Sequence, residues 1–99
     1  MIIVYTKEAN EDFVNITSYL LQFNDEDTVQ KRVNKVKAEV TRLEQNSHIG
    51  TPVKSRFKTE ASERYLVCGK YIVFYRLLKT EIEITRIADG RQNWQKSLF

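Results

Sequence analysis

Cationic side chains gather late in the chain: Lys70, Arg86, Arg91 and Lys96 precede the carboxyl end, with Trp94 just after the second arginine. An arginine pair flanking an aromatic ring suits docking onto a protein, and guanidinium groups also hold phosphate. Arg91 follows Asp89-Gly90, a turn signal, and turn positions carry binding roles more often than strand interiors do. Arg86 shares its alternation with Ile82 and Ile84, so its stem could instead cap the edge of a core, and Trp94 reads first as a core lid. A second basic row, Lys54, Arg56 and Lys58, has the spacing of a solvated face that could also meet phosphate or an acidic segment, and Arg76 interrupts an apolar run further on. The lone His48 falls in a loop, where solvation accounts for it better than an acid or base role. Cys68 lies beside a glycine with no histidine next to it and reads as a structural thiol. Tyr65, Tyr71 and Tyr75 fit sheet packing better than base stacking. No glycine-rich phosphate loop, metal-binding spacing or nucleophile elbow is present, so no cofactor and no metal are expected.

Ninety-nine residues, 41% hydrophobic and 29% charged, suit one globular domain over residues 1–99. One cysteine and one histidine exclude an internal disulfide and a four-ligand zinc site. With no basic leader and no apolar run of about 20 residues, the expectation is a soluble, cytoplasmic protein without a membrane partner. Charge divides unevenly: residues 1–49 hold six Lys/Arg against eight Asp/Glu, and residues 50–99 hold ten against five. The basic second half points to a nucleic acid or an acidic protein segment, although many small basic domains bind neither.

The elements that position these residues follow from periodicity. Ile2 to Tyr5, β-branched or aromatic throughout, predict a strand buried on both faces. Thr6 can cap a helix over about 7 to 23, whose stripe is Ala9, Phe13, Ile16, Leu20 and Phe23. Asn24 to Asp27 place acceptors and negative charge at the start of a second helix reaching Gln45, with Val29, Val33, Val36, Val40 and Leu43 along one side. Four valines in a helix call for packing on a sheet; a coiled-coil seam is the other option, but the stripe covers little more than two heptads. After the loop Asn46 to Pro52, Val53 to Lys58 predict a marginal strand or extended arm with a basic outer face. Arg64 to Val67, a turn at Gly69, a central strand over Tyr71 to Leu78, and a strand from Glu81 with one wet face complete the pattern, before a short tail from Arg91. The fold class is α+β: an N-terminal strand, an antiparallel helical hairpin, then a three- or four-stranded antiparallel sheet.

This order, with Arg64 to Arg76 and Ile82 to Trp94, resembles the RelE/ParE superfamily of toxins from bacterial type II toxin–antitoxin systems, over nearly the whole chain. RelE-like members cut messenger RNA in the ribosome, whereas ParE-like, plasmid-stabilising members are reported to inhibit DNA gyrase. RNA cleavage must activate a 2′-hydroxyl, stabilise charge on the phosphorane and protonate the leaving oxygen. Nucleases of the superfamily usually carry an arginine where this chain has Tyr71, and a tyrosine or histidine near the end, where it has Gln95 to Phe99. The resemblance therefore implies the ParE-like branch: a non-enzymatic gyrase inhibitor that arrests growth, with Arg86, Arg91, Trp94 and Lys96 toward the target. The alternative is a ribosome-dependent endoribonuclease whose Lys70, Arg86, Arg91 and Lys96 hold the phosphate. Either way the resemblance implies a cognate antitoxin, to be met by Lys54, Arg56, Lys58 and Arg76, and it leaves open a homodimer or a toxin–antitoxin hetero-oligomer.

Overall fold

The computed structural model describes residues 1–56 and 62–90, with backbone alone at 55 and 56. Its elements are β1 (Ile2–Tyr5), α1 (Lys7–Leu20), α2 (Glu26–Thr41), a 3-10 turn (Arg42–Glu44), β2 (Thr51–Pro52), α3 (Val53–Arg56), β3 (Arg64–Cys68), β4 (Tyr71–Leu77) and β5 (Glu81–Asp89). The strands form one five-stranded sheet in the order β1-β5-β4-β3-β2. Four of them run antiparallel, and β1 adds to β5 in parallel, Ile3 opposite Ile82 and Tyr5 opposite Ile84.

Both helices begin where the sequence supplies caps. The Thr6 hydroxyl accepts from the Ala9 amide at 3.1 Å and donates to the Thr85 carbonyl at 3.0 Å, so one side chain starts α1 and ties it to β5. The Asp25 carboxylate accepts from the Thr28 amide at 2.7 Å, and hydrogen bonding from the Thr28 side chain, with that amide second, holds its pKa below the ordinary carboxylate value. α1 stops at Leu20, three residues earlier than its stripe suggests, because Asn24 folds back to donate to the Leu20 carbonyl at 3.0 Å. Phe23 is left 70% exposed.

The valine stripe packs on the sheet. Val36, Val40 and Leu43 join Ala9 and Phe13 over Val73, Tyr75, Ile82, Ile84 and Ile87 in the main core. Phe13 meets Tyr5 at 5.8 Å between ring centroids, and the Lys37 ammonium lies 5.3 Å from the Phe13 centroid. A smaller cluster on the opposite face joins Val53 and Phe74, with Tyr65, Ile72 and Ala88 packed against it.

Three sequence expectations change. β1 is an edge strand with Ile2 and Val4 exposed, not a strand buried on both faces, because among the described residues it pairs with β5 alone. Lys54 and Arg56 sit on the helical turn α3 and not on a strand: pairing ends at Pro52, and burial of Val53 under Phe74 outweighs the alternating pattern. Finally, β5 carries a bulge. Phe74 pairs with Arg86 and Tyr75 with Ile84, so Thr85 is the extra residue, its hydroxyl donating to the Phe74 carbonyl at 3.2 Å. The bulge resets the alternation, so Ile87 and not Arg86 follows Ile82 and Ile84 into the main core.

Candidate functional site

The strands leave one end of the sheet incomplete. β1 ends at Tyr5, opposite Ile84, so on the side away from β4 the second half of β5 has no strand beside it among the described residues. α1 crosses there instead, and Asp12 takes the place of a neighbouring strand's carbonyl: its carboxylate accepts from the Ile87 amide at 2.8 Å. The same carboxylate grips Arg86 through two parallel bonds, Nε at 2.8 Å and Nη2 at 3.0 Å. Two-point pairing of this kind is strong and orients the guanidinium. It raises the Arg86 pKa still further above its ordinary value, the Asp12 hydrogen bond being the main cause. Arg86 thus keeps 41% of its side chain exposed, yet its charge is shared with Asp12.

Beside this clasp lies a groove of about 690 Å³ between α1 and the ends of β4 and β5. Asp12, Asn15 and Tyr19 of α1 face Tyr71, Ile87 and Asp89 across it. Its rim carries two carboxylates, and no histidine lines it. Such a surface offers apolar contact and hydrogen bonds to a partner, and the charge of its Asp12 carboxylate is already shared with Arg86.

Lys70 occupies the β3–β4 turn, where Gly69 supplies the positive φ of +61° that this two-residue hairpin needs at its first position. The Lys70 carbonyl accepts from the Gly90 amide at 2.8 Å, so the turn abuts the residue from which the tail departs. Lys70 and Arg86 are not brought into one cluster: the registers Phe74–Arg86 and Tyr71–Asp89 are three residue steps apart, about 10 Å. Arg91, Trp94 and Lys96 lie outside the described residues, as does Lys58, and the Arg56 side chain is not described. Of the residues expected to meet an antitoxin, Lys54 follows the edge strand β2, while Arg76 lies two strands away on β4 and is ion-paired with Glu83. His48 sits at the far edge of the sheet. There the Arg64 guanidinium donates to the His48 carbonyl at 3.3 Å and to the Gly50 carbonyl at 2.8 Å.

Sequence reasoning passed over Asp12. A signal was present, since Asp12 borders the apolar stripe between Ala9, Phe13 and Ile16, where a carboxylate needs a partner. Its partner lies 74 residues away and no local pattern names it.

Cys68 is buried, and burial together with the nearby Glu39 carboxylate pushes its thiol up to about 11, which keeps it protonated and unreactive. Among the described residues, no group of His, Cys, Asp and Glu is arranged to hold a metal, and no helix is long and apolar enough to cross a membrane.

Known proteins with the same architecture bear on this site. In fold the chain is similar to a chain of the chromosomal ParDE toxin–antitoxin system from P. aeruginosa, with 22% identity, a TM-score of 0.75, and coverage of 90% of this chain and 95% of that one. It is also similar to a chain of the E. coli DinJ–YafQ complex, at 19% identity and a TM-score of 0.57 over 98% of this chain and 96% of that one. YafQ from E. coli strain BL21(DE3) matches at 21% identity and a TM-score of 0.52, again over 98% and 96%. No curated protein matches significantly. The family model describing the ParE toxin of type II toxin–antitoxin systems, parDE, matches residues 3–94, which take in the helical hairpin, all of the sheet but Ile2, and the clasp between Asp12 and Arg86. The chain belongs to the ParE toxin family of type II toxin–antitoxin systems.

Proposed function

We propose that this toxin arrests growth by binding DNA gyrase in the cytoplasm, through the surface where β5 runs into the tail, and that a cognate antitoxin silences it. The observation that carries the reading is the bidentate clasp of Arg86 by Asp12 beside a groove with two carboxylates on its rim. A nuclease would need Arg86 free to meet a phosphorane, together with an acid and a base beside it. Here the guanidinium is already neutralised, and Tyr71 stands where the superfamily's nucleases carry a cation. A surface with an aromatic and aliphatic floor and a polar rim suits protein docking. Arg91, Trp94 and Lys96 would extend it.

The test is a supercoiling assay with purified gyrase, run with the wild-type chain, with Arg91→Ala and with a truncation after Gly90. Inhibition by the wild type, lost in both variants while circular dichroism shows them folded, is the expected result. Absence of inhibition at large excess would overturn the reading. Mapping of cleaved messages after induction would then decide for the ribosome-dependent nuclease, with Lys70, Arg86, Arg91 and Lys96 on the phosphate.

A further inference from the structure

The sheet ends on two edges, and they are finished differently. β2, at one edge, is two residues long and contains Pro52, whose nitrogen has no hydrogen to offer a further strand. β1, at the other, reads Ile2-Ile3-Val4-Tyr5 between Met1 and Thr6, and no charged side chain, proline or glycine guards it. The Ile2 and Thr6 amides donate to the Thr80 and Ile84 carbonyls at 3.4 and 3.0 Å, and backbone groups alternate in direction along a strand, so Ile2, Val4 and Thr6 turn theirs toward β5. Ile3 and Tyr5 turn theirs outward, and among the described residues β1 pairs with β5 alone. On the face away from the helices Ile2 is 69% and Val4 37% exposed, while Ile3 and Tyr5 pack on the main core.

We propose that β1 pairs antiparallel with β1 of a second copy across a two-fold axis at Val4, joining two sheets into one. The strand is its own complement in that register. Ile3 lies opposite the partner's Tyr5 and Tyr5 opposite the partner's Ile3, and each pair exchanges both of its N–H···O bonds, so every outward backbone group is met. The two Val4 side chains face each other across the axis, where Cα atoms of such pairs stand about 4.5 Å apart, and Ile2 meets the partner's Thr6. Removing Ile2 and Val4 from water is the gain that a polar strand from another protein would not return. Because Pro52 stops the opposite edge, the association closes at two copies and does not grow into a fibre. A ladder of four residues falls short of the ~1,200 Å² of a stable interface, so the dimer is weak and concentration-dependent. The axis leaves the proposed target surface open: Asp89 is six residue steps beyond Glu83, which pairs with Val4, or about 20 Å along β5.

Sedimentation of the full chain from about 5 μM to about 500 μM should show its mass rising from monomer toward dimer. Val4→Lys should hold it monomeric throughout, because like charges then meet across the axis, and Val4→Glu should do the same. Mixing the two variants should restore the dimer, since opposite charges then face each other. Val4 is exposed, so circular dichroism should find both variants folded. Val4→Cys should cross-link to a second copy under mild oxidation, because opposed residues at that spacing lie within disulfide reach, whereas Ser18→Cys on the exposed side of α1 should not. The buried Cys68 thiol, held protonated, stays out of both reactions.

A chain that stays monomeric at every concentration overturns the inference. So does a dimer that Val4→Lys leaves intact, which would give the association to another surface, and so does a mixture of the two charged variants that stays apart. Equal cross-linking of Val4→Cys and Ser18→Cys would reduce the contact to random collision and sink it as well. A chain that is monomeric alone but captures a labelled Thr-Val repeat peptide, and releases it with Val4→Lys, would give the edge to a strand of another protein and not to a second copy.

Discussion

Removing the Asp12 carboxylate would strip three donors of their acceptor at once, two on Arg86 and the amide of Ile87. Asp12→Ala should therefore destabilise the fold by about 2–3 kcal/mol, the cost of leaving a backbone amide and part of a guanidinium unsatisfied. Asp12→Asn, which keeps an oxygen acceptor, should lose less; urea denaturation of both variants beside the wild type measures the difference. Cys68 and Tyr5 set the behaviour in alkali. Burial raises both pKa values, Cys68 to about 11, so the folded state holds these protons more tightly than the unfolded chain does. Stability from this source is complete below the unfolded thiol's range near pH 9 and is lost as pH rises toward 11. The thermal midpoint should accordingly fall between those values, and fall less in Cys68→Val. A midpoint unchanged across that window would contradict the assignment.

Caps and turns decide the elements. Thr6→Ala removes both the cap of α1 and the link to the Thr85 carbonyl, and should cost about 1–2 kcal/mol in the same denaturation experiment. The loop after the second helix is fixed by the fully buried Tyr75, whose hydroxyl accepts from the Gly50 amide at 2.9 Å and donates to the Ser47 carbonyl at 3.1 Å. Tyr75→Phe should lose about 1–3 kcal/mol, because the Gly50 amide is then buried without an acceptor. Gly50→Ala should lose more. Its Cβ would stand 2.5 Å from the Tyr75 hydroxyl and 2.6 Å from the Tyr65 carbonyl, and the second of these is backbone that cannot step aside. If Gly50→Ala were the milder of the two, the close approach at this corner would be wrong.

At the scale of the molecule, the helical hairpin covers one face of the sheet and, among the described residues, borders grooves of unlike lining. The one beside Asp89 carries Asp12, whose charge is shared with Arg86; the one beneath Arg32 and Lys35 carries three cations and Glu39. Lys70 and Tyr71, adjacent in the chain, both line the basic groove, and Tyr71 reaches the other one as well. If the proposed target surface lies where β5 runs into the tail, Arg91→Ala should relieve growth arrest, whereas Lys79→Glu in the turn before β5 should not. Parallel growth curves check this, and arrest unchanged by Arg91→Ala in a folded protein would count against that surface.

The helices, their caps and the hairpin at Gly69 could be read from the chain because their determinants sit within a few residues of one another: an apolar stripe, an acceptor three residues before an amide, a glycine where φ is positive. The order β3-β4-β5 was equally local, since these consecutive antiparallel strands pair through short turns. Other features had no local cause. β1 pairs in parallel with β5 from the opposite end of the chain, which makes it an edge and exposes Ile2 and Val4. The bulge at Thr85 exists in the ladder with β4, and it alone moves Arg86 out of the core alternation. Family and fold class thus follow from patterns along the chain, while the charge that each groove presents depends on which carboxylate meets which cation across the fold: Asp12 with Arg86, and Glu39 with Arg42. Coulombic and hydrogen-bond partners act over a few ångströms of space, and sequence distance says nothing of who comes that close.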